Sequence, residues 1–172
     1  PLMMLYGRGF PDFLAACAPL AKFGYLRDVA RLEFALRESY HAADANPIVP
    51  DAFAAIAPEQ MGDLRLKLAP SVRLIRSDWP AFSLWRFNMQ DGAEKPTAVA
   101  ESVLVSRLEF DPTPHLLPLG AGRFGSALMA GSPLGEAAEQ ASQAHDAFDL
   151  STALSTLLTA QAIVNLSLEE EQ

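Results

Sequence analysis

The residues best suited to chemistry lie together in "ARLEFALRESYHAADA", residues 30–45. Glu38 and His41 have the Glu-x-x-His spacing by which di-iron helix bundles bind metal. Such a site needs the same pair from a second helix and two further glutamates. Neither His115 nor His145 has a glutamate three residues before it. We therefore predict no metal at Glu38 and His41.

The same stretch belongs to the strongest predicted helix. Its apolar residues recur every three or four positions and form one stripe: Tyr25, Val29, Leu32, Leu36 and Tyr40. At about 100° per residue, Phe34 falls nearly opposite that stripe, flanked by Glu38 and His41. This far side is either a solvated polar face or a second packing surface for another domain or a partner. Because Phe34 interrupts the polar face, we favour the second interpretation, with Phe34, Glu38 and His41 as candidates.

A second set of candidates is cationic and lies where the hydrophobic period becomes strand-like. "LRLKLAPSVRLIRS", residues 64–77, alternates leucine with charge and contains Pro70, which predicts strands with a break. Its cations form a predicted basic cluster: Arg65, Lys67, Arg73 and Arg76. The simpler interpretation is a solvated sheet face, because such charges are common there and at sheet edges. The functional alternative is docking of an acidic peptide by strand addition.

The composition is that of a globular chain and argues against several functional classes. Of its 172 residues 50% are hydrophobic, yet no apolar run reaches the roughly 20 residues of a membrane span. The sole cysteine, Cys17, cannot form an internal disulfide. No nucleophile motif or phosphate loop occurs, so we predict neither an enzyme nor a cofactor. We expect a cytoplasmic location and no membrane partner, because no secretory pattern is present.

Charge is distributed unevenly along the chain. The net charge is −8, and all 13 Lys and Arg residues lie at or before Arg123. The remaining residues carry seven acidic side chains and no cation: Glu136, Glu139, Asp146, Asp149, Glu169, Glu170 and Glu171. Because nucleic-acid affinity comes mostly from cations that contact phosphates, this last third of the chain is not expected to bind nucleic acid.

The order of elements predicts an α+β protein in two parts. Residues 1–63 are expected to be helical, including a short helix within 50–64, and residues 64–172 to form an α+β module. In that module the predicted strands within 64–77, 101–110 and 115–119 precede helices at 122–131, 133–143 and 150–161 and a closing strand at 162–168. Strands, three short helices and a strand are what a small winged-helix-like module contains.

Several segments together resemble a known family. They are "YGRGFPDFLAA", "YLRDVARLEFALRESYHAADA", "LRLKLAPSVRLIRSDWP" followed by "LWR", and "AGSPLGEAAEQ" followed by "FDLSTALSTLLTAQAIV". In this order they are similar to the HvfC/BufC family, partner proteins of multinuclear non-haem iron oxidative enzymes. Residues 1–63 would correspond to the C-terminal part of the family's N-terminal helical domain. Arg31, Glu33, Glu38 and His41 match the family helix, whereas Phe34 stands where tryptophan is expected.

The resemblance implies a non-catalytic peptide modification chaperone of ribosomal peptide (RiPP) biosynthesis. Such a protein binds a short cysteine-containing precursor peptide and presents it to a non-haem iron peptide-modifying enzyme, which holds the metal. The resemblance also implies a C-terminal module like the winged-helix elements that recognise leader peptides.

The alternative is a DNA-binding or transcription-associated regulator, because the family's N-terminal region is described as a DNA-binding domain. A winged-helix reader inserts its third helix into the major groove. Here that helix, residues 150–161, carries hydroxyls and an amide but no cation. We therefore do not expect the C-terminal module to bind DNA.

Overall fold

The computed structural model describes residues 6–168 and shows an α+β fold, which confirms the predicted fold class. A helical N-terminal part is followed by two small antiparallel sheets and four further helices. The helices are α1 (Phe10–Ala16), α2 (Tyr25–Tyr40), α3 (Ala81–Met89), α4 (Ala121–Met129), α5 (Leu134–Ala144) and α6 (Leu150–Thr159). The strands are β1 (Arg65–Leu68), β2 (Arg73–Ser77), β3 (Glu101–Leu108), β4 (Asp111–Leu116) and β5 (Ile163–Ser167). The predicted acidic residues Glu169, Glu170 and Glu171 lie outside the described range.

The strands form two separate sheets. β1 pairs with β5, so that Arg65 lies opposite Ser167, while β2, β3 and β4 form a meander. The predicted break at Pro70 is confirmed, and it separates two strands that belong to different sheets. Ala69 N donates to Ala162 O at 2.8 Å, and the chain then turns into the other sheet at Arg73. Helix α3 apart, the order of strands, three helices and a closing strand is as predicted for residues 64–168.

Two segments differ in type from the predicted elements, and the strand predicted at 115–119 is instead β4, which ends at Leu116. The short helix expected within residues 50–64 is instead two 3-10 turns, Pro50–Ala55 and Pro58–Asp63. Each starts with a proline, which suits the first turn of a helix. Because proline has no backbone N–H, Pro58 cannot continue a helix from the preceding turn, and two short 3-10 segments form instead. Helix α3 was not predicted, because six of its nine residues are apolar and no single apolar stripe stands out in so short a segment. It forms because Phe82 and Trp85, three residues apart, pack together against the core between α2 and the three-stranded sheet.

The hydrophobic residues form two cores. The larger lies among β1, β5 and helices α4 to α6, and Phe124 is its largest fully buried side chain. The smaller lies between α2 and the three-stranded sheet and contains Leu32, Ala35, Ile75, Val103 and Val105. Helix α2 therefore packs on strands that come after the predicted boundary near residue 63, and that boundary stays a prediction. No helix within the described residues is long and apolar enough to span a bilayer.

The buried face of α2 is rotated from the predicted apolar stripe. Leu32, Ala35 and Ser39 are buried, whereas Tyr40, a member of that stripe, is 53% exposed. Small side chains at positions 35 and 39 let the helix approach the sheet closely, which a stripe through Tyr40 would not allow. The rotation brings Glu38 toward the sheet.

Candidate functional site

The four predicted cations are divided between strands of two sheets, and their shared role in peptide binding stays a prediction. Arg65 and Lys67 lie on β1 in the two-stranded sheet, and Arg73 and Arg76 lie on β2 in the other sheet. The turn around Pro70 separates the two pairs. Arg65 and Lys67 therefore line a different surface from Arg73 and Arg76.

Arg65 and Lys67 line a groove of about 490 Å³ between β1 and the last turn of α4. Leu66, Val72 and Leu128 are buried and provide its apolar base. Arg65 donates a hydrogen bond to the carbonyl of Gly131, just after α4, and so links the two sides of the groove. Since side chains two residues apart in a strand share a face, Arg65 and Lys67 lie on one side of β1.

Strand β1 is an edge of its sheet within the described residues, because β5 is its one strand partner there. Leu134 N of α5 donates to Leu64 O at 2.7 Å, immediately before β1. By the alternation of an antiparallel ladder, the backbone N–H and C=O of Leu66 point to the same side as those of Leu64, away from β5. An extended peptide on that side would find backbone hydrogen-bonding groups, an apolar base and two cations.

Arg73 and Glu38, which the sequence assigned to different sites, form one ion pair. Arg73 Nε donates to Glu38 Oε2 at 3.2 Å, and Arg8 Nη2 lies 3.5 Å from Glu38 Oε1. Arg73 Nη1 also donates to the carbonyls of Pro70 and Val72, both at 2.8 Å. Glu38 therefore does not point away from the sheet as expected. It joins the N-terminal segment and β2 to α2.

The other candidates of the predicted partner surface lie apart. Phe34 is half-buried and lines a cavity of about 270 Å³ together with Arg8 and Pro11, so residues near α1 cover part of this side of α2. His41 is exposed at the end of α2, where its ring lies edge-on to Tyr40 with centroids 5.1 Å apart. Among residues 6–168, no group of three or more His, Cys, Asp or Glu side chains is placed to hold a metal ion.

A contact between Ser106 and His115 was not predicted from the sequence. Ser106 Oγ lies 3.0 Å from His115 Nε2 across β3 and β4. Ser106 is 3% exposed, so this pair is a polar contact inside the sheet rather than an accessible nucleophile and base. The register of the β3–β4 hairpin explains the contact. Ser106 pairs with Thr113, and His115 follows two residues later on the same face of the sheet.

The charge state of His115 gives a prediction on pH. Desolvation by burial lowers the pKa of His115 from its ordinary value of 6.5. Between the lowered folded-state pKa and 6.5, the unfolded state therefore binds more protons than the folded state. The stability that is present above pH 6.5 is lost as the pH falls toward the folded-state pKa. We expect urea unfolding of His115→Gln to lose this part of the pH dependence below neutrality. Identical pH profiles for the variant and the wild type would contradict it.

The exposed side of α6 is rich in hydroxyls. Ser151, Thr152, Ser155 and Thr159 line, with His115, a shallow groove of about 460 Å³. Asp149 starts the helix by accepting a hydrogen bond from Thr152 N at 2.6 Å, as its sequence position predicted. This surface has no cation to neutralise a phosphate backbone.

No protein-family model matches the chain, and no curated protein does so either. The proposal below therefore depends on the surfaces described above and on the segments that resemble the HvfC/BufC family.

Proposed function

We propose that this protein is a non-catalytic partner that binds an extended precursor peptide and presents it to a modifying enzyme. The observation that carries the proposal is the groove beside edge strand β1, with Arg65 and Lys67 on one face. The family resemblance adds the identity of the partners: a short cysteine-containing peptide and a non-haem iron enzyme. In this proposal metal binding and catalysis belong to that enzyme.

The groove is suited to a peptide strand for three reasons. The Leu66 backbone faces away from β5, and main-chain hydrogen bonds to an added strand contribute affinity without depending on sequence. The buried base formed by Leu66, Val72 and Leu128 accepts apolar side chains. Arg65 and Lys67 favour acidic side chains at alternate positions of the ligand, which sets the preferred charge of the peptide.

The alternative proposal, a DNA-associated regulator, has less support. The exposed hydroxyl face of α6 lacks the cations that drive non-specific DNA binding. Any such activity would have to come from other surfaces.

A peptide-binding assay tests the groove. We expect a fluorescein-labelled precursor peptide, encoded beside this gene, to bind the wild type with an affinity that falls as salt is raised. Lys67→Glu should weaken binding about tenfold or more, because a hydrogen bond to a charged group is replaced by repulsion. Lys95→Glu is the matched control, since it changes the net charge equally at an exposed loop position far along the chain from β1. Equal affinities for the two variants would contradict binding in this groove.

Co-purification tests the partner role separately. We expect the protein, the peptide and the neighbouring iron enzyme to form a stable complex in which iron is found on the enzyme. A protein that binds the peptide but never the enzyme, or that itself carries stoichiometric metal, would contradict the chaperone proposal while leaving peptide binding in place.

A further inference from the structure

A second cleft, of about 620 Å³, lies at the end of the three-stranded sheet where β2 ends and β3 begins. It is formed by the first half of α2, the end of β2, the start of β3 and the first turn of α4. Four arginines line it: Arg27, Arg31, Arg76 and Arg123. In a chain with a net charge of −8, this concentration of guanidinium groups in one concave surface is unusual.

Two of these arginines are already paired. Arg27 Nη2 lies 3.1 Å from Asp12 Oδ1, and Arg31 Nη1 lies 2.9 Å from Asp28 Oδ1. Asp28 also accepts a hydrogen bond from Ser77 Oγ at 2.7 Å, so its charge is satisfied within the protein. These contacts leave Arg27 and Arg31 as secondary contributors to the positive potential of the cleft.

The second acidic side chain of the cleft is satisfied as well. Glu101 is buried and accepts hydrogen bonds from Ser83 N at 3.0 Å and from Ser83 Oγ at 2.5 Å. Asp78 is exposed at the edge of the cleft and is the remaining carboxylate among the lining residues.

The side chains of Arg76 and Arg123 have no ion-pair or hydrogen-bond partner among residues 6–168. Both are exposed and both line the cleft. Their elements meet at Gly122, where a Cβ would overlap Ser102 Oγ and lie 3.3 Å from Arg76 Cγ. The stem of Arg76 therefore runs directly against the first turn of α4, the turn that carries Arg123.

We propose that this cleft is a binding site for an oxyanion, a carboxylate or a phosphate, attached to an apolar group. Arg76 and Arg123 would hold the anion, because guanidinium forks match the oxygens of carboxylates and phosphates. The exposed side chains of Val99, Leu116 and Leu119 line the same cleft and would contact the apolar group. The site is distinct from the β1 groove, so it stands whether or not the proposed function does.

Titration calorimetry and the arginine Nε–Hε NMR signals test this site with four probes: phenyl phosphate, phenylacetate, inorganic phosphate and benzyl alcohol. We expect the two aromatic anions to bind and to shift the Arg76 and Arg123 signals. Inorganic phosphate should bind more weakly and benzyl alcohol not detectably. Comparing phenyl phosphate with phenylacetate shows which oxyanion the site prefers, and either preference supports the proposal.

Substitutions then locate the site. Arg76→Gln and Arg123→Gln should each weaken binding of the preferred aromatic anion about tenfold, since each removes a charged hydrogen bond. Lys95→Gln, which removes one charge elsewhere, should leave it unchanged. Thermal unfolding of each variant establishes that it is folded. Binding that survives both arginine substitutions, or equal binding of benzyl alcohol and the aromatic anions, would overturn the proposal.

Discussion

Truncation of Phe124 to alanine is expected to lower the free energy of unfolding by about 3–5 kcal/mol. Phe124 lies on α4 in the larger core, is 1% exposed and packs against Phe148 with ring centroids 5.6 Å apart. The substitution removes the transfer free energy of a whole ring and leaves a cavity that rigid neighbours fill only in part. Because domains of this size are stable by about 5–15 kcal/mol, the loss is a large fraction of the total.

Chemical unfolding followed by circular dichroism measures this loss. Phe110→Ala is the matched control, because Phe110 is 79% exposed and its removal should change stability by less than about 0.5 kcal/mol. If Phe124→Ala cost no more than Phe110→Ala, α4 would not be anchored in the larger core as described. The β1 groove would then lose its opposite wall.

Leu32→Ala is expected to destabilise the protein by about 2–5 kcal/mol. Leu32 is completely buried in the smaller core, where it joins Ile75, Val103 and Val105 of the sheet. The matched control is Leu119→Ala, whose side chain is 58% exposed. The expected effect is large because this core holds few residues and cannot readily redistribute around a cavity.

The same variant tests how the two parts of the chain are coupled. Native-state hydrogen exchange should show faster exchange for the amides of β2 and β3 as well as for α2, since they share the core that Leu32 fills. Faster exchange in α2 alone would mean that residues 1–63 unfold as an independent unit. That outcome would support the predicted boundary near residue 63.

Sequence periodicity was sufficient for the elements whose signals are local. The 3.6-residue period of α2, the capping position of Asp149 and the period-two alternation of β1 each depend on neighbours within a few residues. These signals led to the correct fold class and to the order of strands, three helices and a closing strand. They also identified Arg65 and Lys67 as cations on one strand face.

Long-range pairing was beyond the reach of those signals. Alternation shows that a strand has a polar face, but it does not show which strand lies beside it, and the chain around Pro70 in fact enters two sheets. For the same reason Arg73 was not predicted to pair with Glu38, 35 residues earlier in the chain. Helix α3 also required its packing partners, because its short, mostly apolar sequence does not show by itself which side is buried.

The two candidate sites also differ in how far local sequence signals reveal them. The β1 groove contains cations that a strand pattern reveals, although its second wall comes from α4, about 60 residues later. The arginine cleft depends on the close approach of Gly122 to Ser102 across two elements, which puts Arg76 and Arg123 on the walls of one cleft. Local patterning thus determined which faces are apolar or charged, whereas burial and packing between distant segments decided which charged groups meet.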